Sequence, residues 1–339
     1  LHTKSYVTKK IIYGNPSQVP IKYDNALNIG YGIDNNYVQP MGVSMASIVI
    51  NNPKKKIIFH VFIDCIDKNN KEKLKQFAID NKTIIIIYLI DTKIFNDFSY
   101  TNHFSKATYN RLLMPQILEN VLDKIIYIDA DVQCFGKLDE IFTISLANKL
   151  AAVVPDIKVV RQRQIAFLQL KNAVYFNAGF MYINVPMWNK ENISEKTMKV
   201  AFENRDRFNW QDQDALNVVL DGKCMYLDKR YDYLLDLKYK TVSIPENAVF
   251  VHYVGRYKPW DKWCLNPLRN KFLDIEKISL WKNTPLSKPN SYKTMKRMGY
   301  SNMIYGNYLT GIHWYLKYSF TKIKCLICKS IIRKNIDNI

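Results

Sequence analysis

Four short runs rich in β-branched and aromatic residues limit what this chain can become: ALNIGYG (26–32), IIFHVFI (57–63), TIIIIYLI (83–90) and KIIYIDA (124–130). Each has the length of a buried strand, and the longest apolar stretch is far short of the roughly 20 residues of a membrane span. Helical spacing fills the gaps. In MGVSMASIVINN (41–52), Met41, Met45, Ile48 and Val49 share a face. KEKLKQFAIDN (71–81) follows, then ATYNRLLMPQILENV (107–121), where Leu112, Ile117 and Val121 align and Pro115 predicts a kink or an early end. Strand, helix, strand, helix is the pattern of an α/β fold with helices on both faces of a sheet. LAAVVPD (150–156) and AGFMYIN (178–184) read as further strands, and helices are expected near 191–207 and over 211–220.

The composition, 48% apolar without a low-complexity block, is that of a folded chain and not of a disordered one. A formal net charge of +19 predicts polyanionic partners: nucleic acid, phosphorylated sugars or an anionic membrane. The six cysteines are scattered, and only Cys325 and Cys328 form a C-x-x-C, which lacks the second pair or histidines of a zinc site. Reduced thiols and an opening segment, LHTKSYVTKK, without the apolar core of a secretory signal predict a cytoplasmic protein. The segment 281–339 has another texture: eleven Lys or Arg, a single acid (Asp337), and aromatics at Tyr305, Tyr308, Trp314, Tyr315, Tyr318 and Phe320. The expected organisation is an N-terminal extension (1–25), a catalytic α/β domain (26–280) and a basic, aromatic C-terminal region (281–339).

The fourth strand ends on charge. In YIDADV (127–132), Asp129 and Asp131 flank Ala130, and in extended chain residues i and i+2 face the same side. Ligands of open α/β sheets bind beyond the carboxyl ends of strands. Two aspartates there repel unless a cation lies between them, and Mg²⁺ or Mn²⁺ with substrate phosphates would resolve the repulsion. A D-x-D alone fits a solvated turn equally well. Three other polar islands adjoin apolar runs: Asn177 in YFNAG (175–179), the QDQD of 211–214, and VHYVGRYKPW (251–260). There His252 offers a third ligand, Gly255 lets a backbone approach a phosphate, and Lys258 could neutralise it.

Together with NIGYGIDNNY (28–37) and ATYNRL (107–112), these motifs resemble, in the same order, the family 8 glycosyltransferases. Within that family the likeness is greatest to enterobacterial lipopolysaccharide core hexosyltransferases. The resemblance implies a GT-A (Rossmann-like) mixed sheet flanked by helices, and a retaining, metal-dependent transfer of hexose from UDP-hexose with an α linkage. It implies that Gly32, Asp34, Asn36 and Tyr37 hold the uridine, with Tyr37 stacked on the base, and that Arg111 contacts the donor sugar or its phosphate. Asp129, Asp131 and His252 would hold Mg²⁺ or Mn²⁺, with Ala130 between the aspartates, while Gly255 and Lys258 grip the diphosphate. Asp156, Asn177, Asp212 and Gln213 would line the sugar and acceptor side. An amide is a poor nucleophile, so same-face attack is favoured over a covalent intermediate, although the sequence leaves both open. The donor is glucose or galactose, with glucose favoured.

The tail, MIYGNYLTGIHWYLKYSFTKIKCLICKSIIRK (303–334), mixes apolar residues with lysines as an interfacial amphipathic helix does. Gly306 and Gly311 are expected to interrupt it. Membrane docking is favoured over nucleic-acid binding, placing the enzyme on the inner face of the bacterial inner membrane with a lipid-anchored acceptor. Two other classes stay open. A non-catalytic basic module for membrane or nucleic acid predicts a missing ligand or lysine, and none is missing. A nucleotidyltransferase predicts a Gly-rich phosphate loop after the first strand, and YGIDNNY is not one.

Overall fold

The structure, a computed structural model, describes residues 6–14, 26–96, 98 and 106–336, with side chains described as far as residue 328. The chain divides into two compact units.

The first unit comprises the chain up to Leu234 with Ile244–His252 and Ser279–Trp281. It opens with β1 (Val7–Tyr13), β2 (Leu27–Ile33), α1 (Val38–Asn51), β3 (Ile57–Ile63), α2 (Lys68–Asp80) and β4 (Ile84–Ile90). Strands β3 and β4 read as near-continuous apolar runs because almost every residue in both is buried, as parallel strands covered on two faces require. Next come α3 (Asn110–Ile117), β5 (Lys124–Ile128), β6 (Val132–Cys134) and α4 (Asp139–Thr143). Helix α3 contains Pro115 and stops two residues later, the early end that proline predicted. The unit continues with β7 (Ala151–Pro155), α5 (Lys158–Leu168), β8 (Phe176–Asn184), α6 (Val185–Lys190), α7 (Ile193–Glu203), α8 (Gln211–Val219), β9 (Cys224–Tyr226), β10 (Tyr233–Leu234) and β11 (Phe250–His252).

Eight strands form one mixed sheet in the order β1-β4-β3-β2-β5-β8-β7-β9. β2, β3, β4 and β5 run parallel, and β8 lies antiparallel to β5 and β7. The chain moves outward from β2 to β4, then returns to lay β5 on β2's other side. The carboxyl ends of β2 and β5 therefore flank a topological switch point, the position where open α/β sheets bind ligands. β1 falls inside the stretch expected to be an extension, yet it pairs antiparallel with β4 at the sheet edge. A second sheet, β10-β11-β6, carries the turn after β5.

The second unit comprises Leu235–Ser243, Tyr253–Ile278 and Lys282–Ile339. It holds α9 (Asn270–Ile278), α10 (Tyr292–Ile304) and α11 (Tyr308–Ile336). A capping box at Ser291 and Thr294 starts α10. Gly306, at φ +81°, separates α10 from α11. Gly311 was expected to break the helix as well but lies inside α11. A Cβ there would meet Met303 Sδ at 2.7 Å, so glycine serves the close approach of the two helices. No helix among the described residues is long and apolar enough to cross a membrane.

Candidate active site

The carboxylate pair leaves β5 in a turn, not in the extended chain expected, because the Val132 N–H donates to the Asp129 carbonyl (3.1 Å). The turn still converges the two acids. It feeds β6, which pairs antiparallel with β11 so that Val132 faces His252. His252 Nε2 lies 3.2 Å from Asp131 Oδ1 and 4.0 Å from Asp129 Oδ2. One donor atom from each of Asp129, Asp131 and His252 falls within 4.8 Å of the others. An octahedral cation held at about 2.1 Å places neighbouring donors about 3 Å apart, so a small inward closure suffices to bind one. The residues fit a hard divalent cation. An imidazole beside two carboxylates suits Mn²⁺ better than Mg²⁺, which takes an all-oxygen shell.

Behind the imidazole lies a residue that the motifs did not mark. Asp232 Oδ1 is 3.3 Å from His252 Nδ1, and the Asp232 side chain is wholly buried. A carboxylate behind a metal-binding histidine fixes the ring and raises its basicity. Burial alone would lower the His252 pKa, but Asp131 and Asp232 outweigh it and push it up to about 10. The ring also needs Gly179: a Cβ there would sit 2.2 Å from His252 Cε1.

Arg111, on α3, ties the carboxylates to one another. Its Nη2 meets Asp129 Oδ1 at 2.9 Å and its Nε meets Asp212 Oδ2 at 3.0 Å. Nη1 donates to the Ala178 carbonyl (2.7 Å), and the guanidinium lies over the Tyr127 ring at 4.6 Å. The Tyr127 hydroxyl donates to the same Asp129 oxygen. Burial works against the Arg111 charge, but Asp129, Asp212 and Asp131 hold it protonated. Burial pushes Asp212 up to about 6, opposed by Arg111 and reinforced by Asp129.

Gln213, one residue on in α8, is held at both ends of its amide. Its Oε1 accepts from the Ala178 N–H (3.0 Å), and its Nε2 donates to the Tyr175 hydroxyl (2.9 Å) and to Asp156 Oδ2 (3.2 Å). Asn177 donates to that Asp156 oxygen (3.4 Å) and accepts from the Gly179 N–H (2.8 Å). Burial raises the Asp156 pKa, countered by the Ile157 N–H and the two amides. The Tyr175 hydroxyl donates to Asp214 (2.6 Å), which also accepts from the Asn209 and Trp210 N–H groups and from Gln164. The second acid of QDQD, Asp214, thus anchors the network that positions the second glutamine, Gln213.

The remaining expected residues occupy three places. Gly32, Asp34, Asn36 and Tyr37 follow or end β2, with Asp34 accepting from the Asn36 N–H (2.9 Å) and Tyr37 38% exposed. Ala130 is buried between the aspartates. In the second unit, Gly255 has φ +79° and faces the Asp236 carboxylate, while Lys258 Nζ donates to the Tyr253 carbonyl (2.6 Å).

A mixed sheet with two aspartates and a histidine at its switch point defines a GT-A glycosyltransferase. Residues 28–264 match Glycosyl transferase family 8, and residues 267–322 match Glycosyl transferase family 8 C-terminal; the chain belongs to this family. It is 33% identical over 308 residues to a lipopolysaccharide 1,3-galactosyltransferase of Salmonella typhimurium, covering 87% of this chain and 91% of that one. It is 31% identical over 319 residues to a lipopolysaccharide 1,2-glucosyltransferase of Escherichia coli, covering 89% and 94%. The galactosyltransferase LgtC, solved with donor and acceptor sugar analogues, shares the fold at a TM-score of 0.67 and 23% identity, covering 75% of this chain and 96% of that one.

Proposed function

We propose that this glycosyltransferase moves a hexose from UDP-hexose to the core oligosaccharide of lipopolysaccharide, forming an α linkage with retention. The observation that carries the reading is the convergence of Asp129, Asp131 and His252 at the switch point. Glucose is the proposed donor sugar, as in the name of the Escherichia coli relative. Gly32, Asp34, Asn36 and Tyr37 are proposed to bind the uridine, and Gly255 and Lys258 the diphosphate.

A bound Mn²⁺ would supply charge neutralisation of the departing diphosphate. Arg111 pairs with both Asp129 and Asp212, so its proposed role toward the donor is to fix these carboxylates in place. Gln213 Oε1 already accepts from the Ala178 N–H, which favours a sugar-orienting amide over a covalent nucleophile. The acceptor hydroxyl then attacks C1 on the face the diphosphate leaves. The C1–O bond to phosphate breaks, the bond to the acceptor oxygen forms, and the hydroxyl proton passes to the departing phosphate oxygen. Asp156, Asn177 and Asp212 are proposed to line the sugar and acceptor side.

Membrane placement has its own support. On α11 the exposed Leu309, Ile312, Leu316, Phe320, Ile323 and Ile327 recur at three- and four-residue spacing, with Lys317 and Lys324 beside them. Such a stripe suits an anionic bilayer surface, here the inner face of the inner membrane. The test of function is the anomeric NMR signal of the product made from UDP-glucose, from UDP-galactose, and from neither. An α-linked product from UDP-glucose is expected. A β-linked product overturns retention, preference for UDP-galactose overturns the donor assignment, and pyrophosphate release from a nucleoside triphosphate favours a nucleotidyltransferase.

A further inference from the structure

The second unit contains a cleft of about 740 Å³ formed by α10, the inward part of α11 and residues 236–238 and 255–257. Six cations line it: Lys238, Arg256, Lys293, Lys296, Arg297 and Lys322. The other lining side chains are five tyrosines and one acid, Asp236. Among the described residues, no carboxylate lies within ion-pair distance of Arg256, Lys293, Lys296, Arg297 or Lys322. The reason is in the sequence, since 281–339 has eleven cations and one acid.

Three of the cations are held against aromatic rings. Lys296 and Lys322 stand 5.7 and 5.6 Å from the Tyr318 ring, and Lys238 stands 5.8 Å from Tyr300. Tyr300 packs on Tyr257 at 6.3 Å, and Tyr292 on Tyr318 at 6.4 Å. Burial, and then the neighbouring Arg256, push the Arg297 guanidinium down, opposed by Tyr257 and Asp261.

We propose that this cleft binds a phosphorylated oligosaccharide, the phosphate-bearing part of the acceptor. Converging Arg and Lys side chains suit a phosphate monoester. Tyrosine rings offer apolar faces to sugar rings and hydroxyls to their polar edges. Asp236 accepts from sugar hydroxyls. The volume is in the range of small-molecule pockets and exceeds what an inorganic phosphate fills. On α11 the cleft side chains Tyr315, Tyr318 and Lys322 lie roughly a third of a turn from the apolar stripe, so one helix would lie on the bilayer and present the cleft beside it. The assignment rests on the acceptor reading above for the identity of the saccharide.

The test is calorimetric titration of the full chain with lipid-free lipopolysaccharide core oligosaccharide, phosphorylated and after phosphatase treatment. The protein is expected to bind the phosphorylated form at least tenfold more tightly. The variant K293Q/K296Q/K322Q is expected to lose that preference while releasing UDP from UDP-hexose without acceptor at the normal rate. Equal binding of the two oligosaccharides by the unaltered protein, or a preference that survives in the variant, overturns the proposal. A variant that loses only its sedimentation with anionic phospholipid vesicles also overturns it, and assigns the cations to lipid headgroups. Absence of UDP release from any UDP-hexose, with the phosphate preference intact, would sink the transferase reading and leave the cleft standing.

Discussion

Replacing Gly179 by alanine drives a methyl group into the imidazole of His252. The added Cβ would lie 2.2 Å from Cε1, 2.6 Å from Nδ1 and 2.8 Å from Asn177 Oδ1. Carbon atoms in contact rest at about 3.5–4.0 Å, so the ring must recede by more than about 1 Å. The strand cannot yield easily. The Gly179 N–H is held by Asn177 and its carbonyl accepts from the Asp129 N–H at 2.9 Å. Metal ligation tolerates about 0.2 Å, and a misplacement of about 1 Å costs about 10²-fold in catalysis. G179A is therefore expected to weaken Mn²⁺ binding, measured by calorimetry, about 10²-fold, and to lower kcat/KM for UDP release about as much. Overpacking should cost about 1–3 kcal/mol, visible as a lower urea midpoint in a protein that still unfolds cooperatively. Mn²⁺ affinity within twofold of the unaltered protein would refute the placement of His252 in the metal site.

Asp232→Asn removes the charge behind His252 and is expected to weaken Mn²⁺ binding 10–100-fold by calorimetry while the urea midpoint changes little. Arg111→Ala leaves Asp212 buried, and Asp129 half-buried, without their shared partner and should cost about 3–5 kcal/mol in urea unfolding. Arg111→Lys should recover only part of this, because one ammonium cannot reproduce the fork. Asp261 has its pKa pushed up to about 6, chiefly by burial. Its folded-state pKa lies above the unfolded value, so its favourable contribution is complete below about pH 4 and is lost as pH rises through about 6, by about 2–3 kcal/mol. Asp261→Asn should flatten that part of the stability–pH profile, and an unchanged slope between pH 4.5 and 7.5 would contradict the assignment.

The α/β core was legible because β3 and β4 are buried on both faces and spell near-continuous runs of Ile, Val and Phe. β1 was not, because VTKKIIY lies at the sheet edge and most of its side chains are exposed or half-buried, which leaves no apolar run. Helix α5 was missed for a related reason: Gln164 is its one buried residue, so it shows no apolar stripe. Asp129, Asp131 and His252 could be picked out as polar groups at the ends of apolar runs. Asp232 could not. It sits in an ordinary KRYDY, and its proximity to His252 arises from the short parallel pairing of β10 with β11. The role of Asp214 was hidden in the same way, since QDQD shows two acids but not which one receives Tyr175. Gly311 misled because a glycine that admits a neighbouring helix looks, in sequence, like one that ends a helix.

Release of UDP from UDP-glucose by the purified chain, with Mn²⁺, with EDTA, and in Asp131→Ala, tests the central claim most directly. The account predicts release that needs the metal and falls at least 10²-fold in the variant. Release that persists in EDTA and in Asp131→Ala would contradict it.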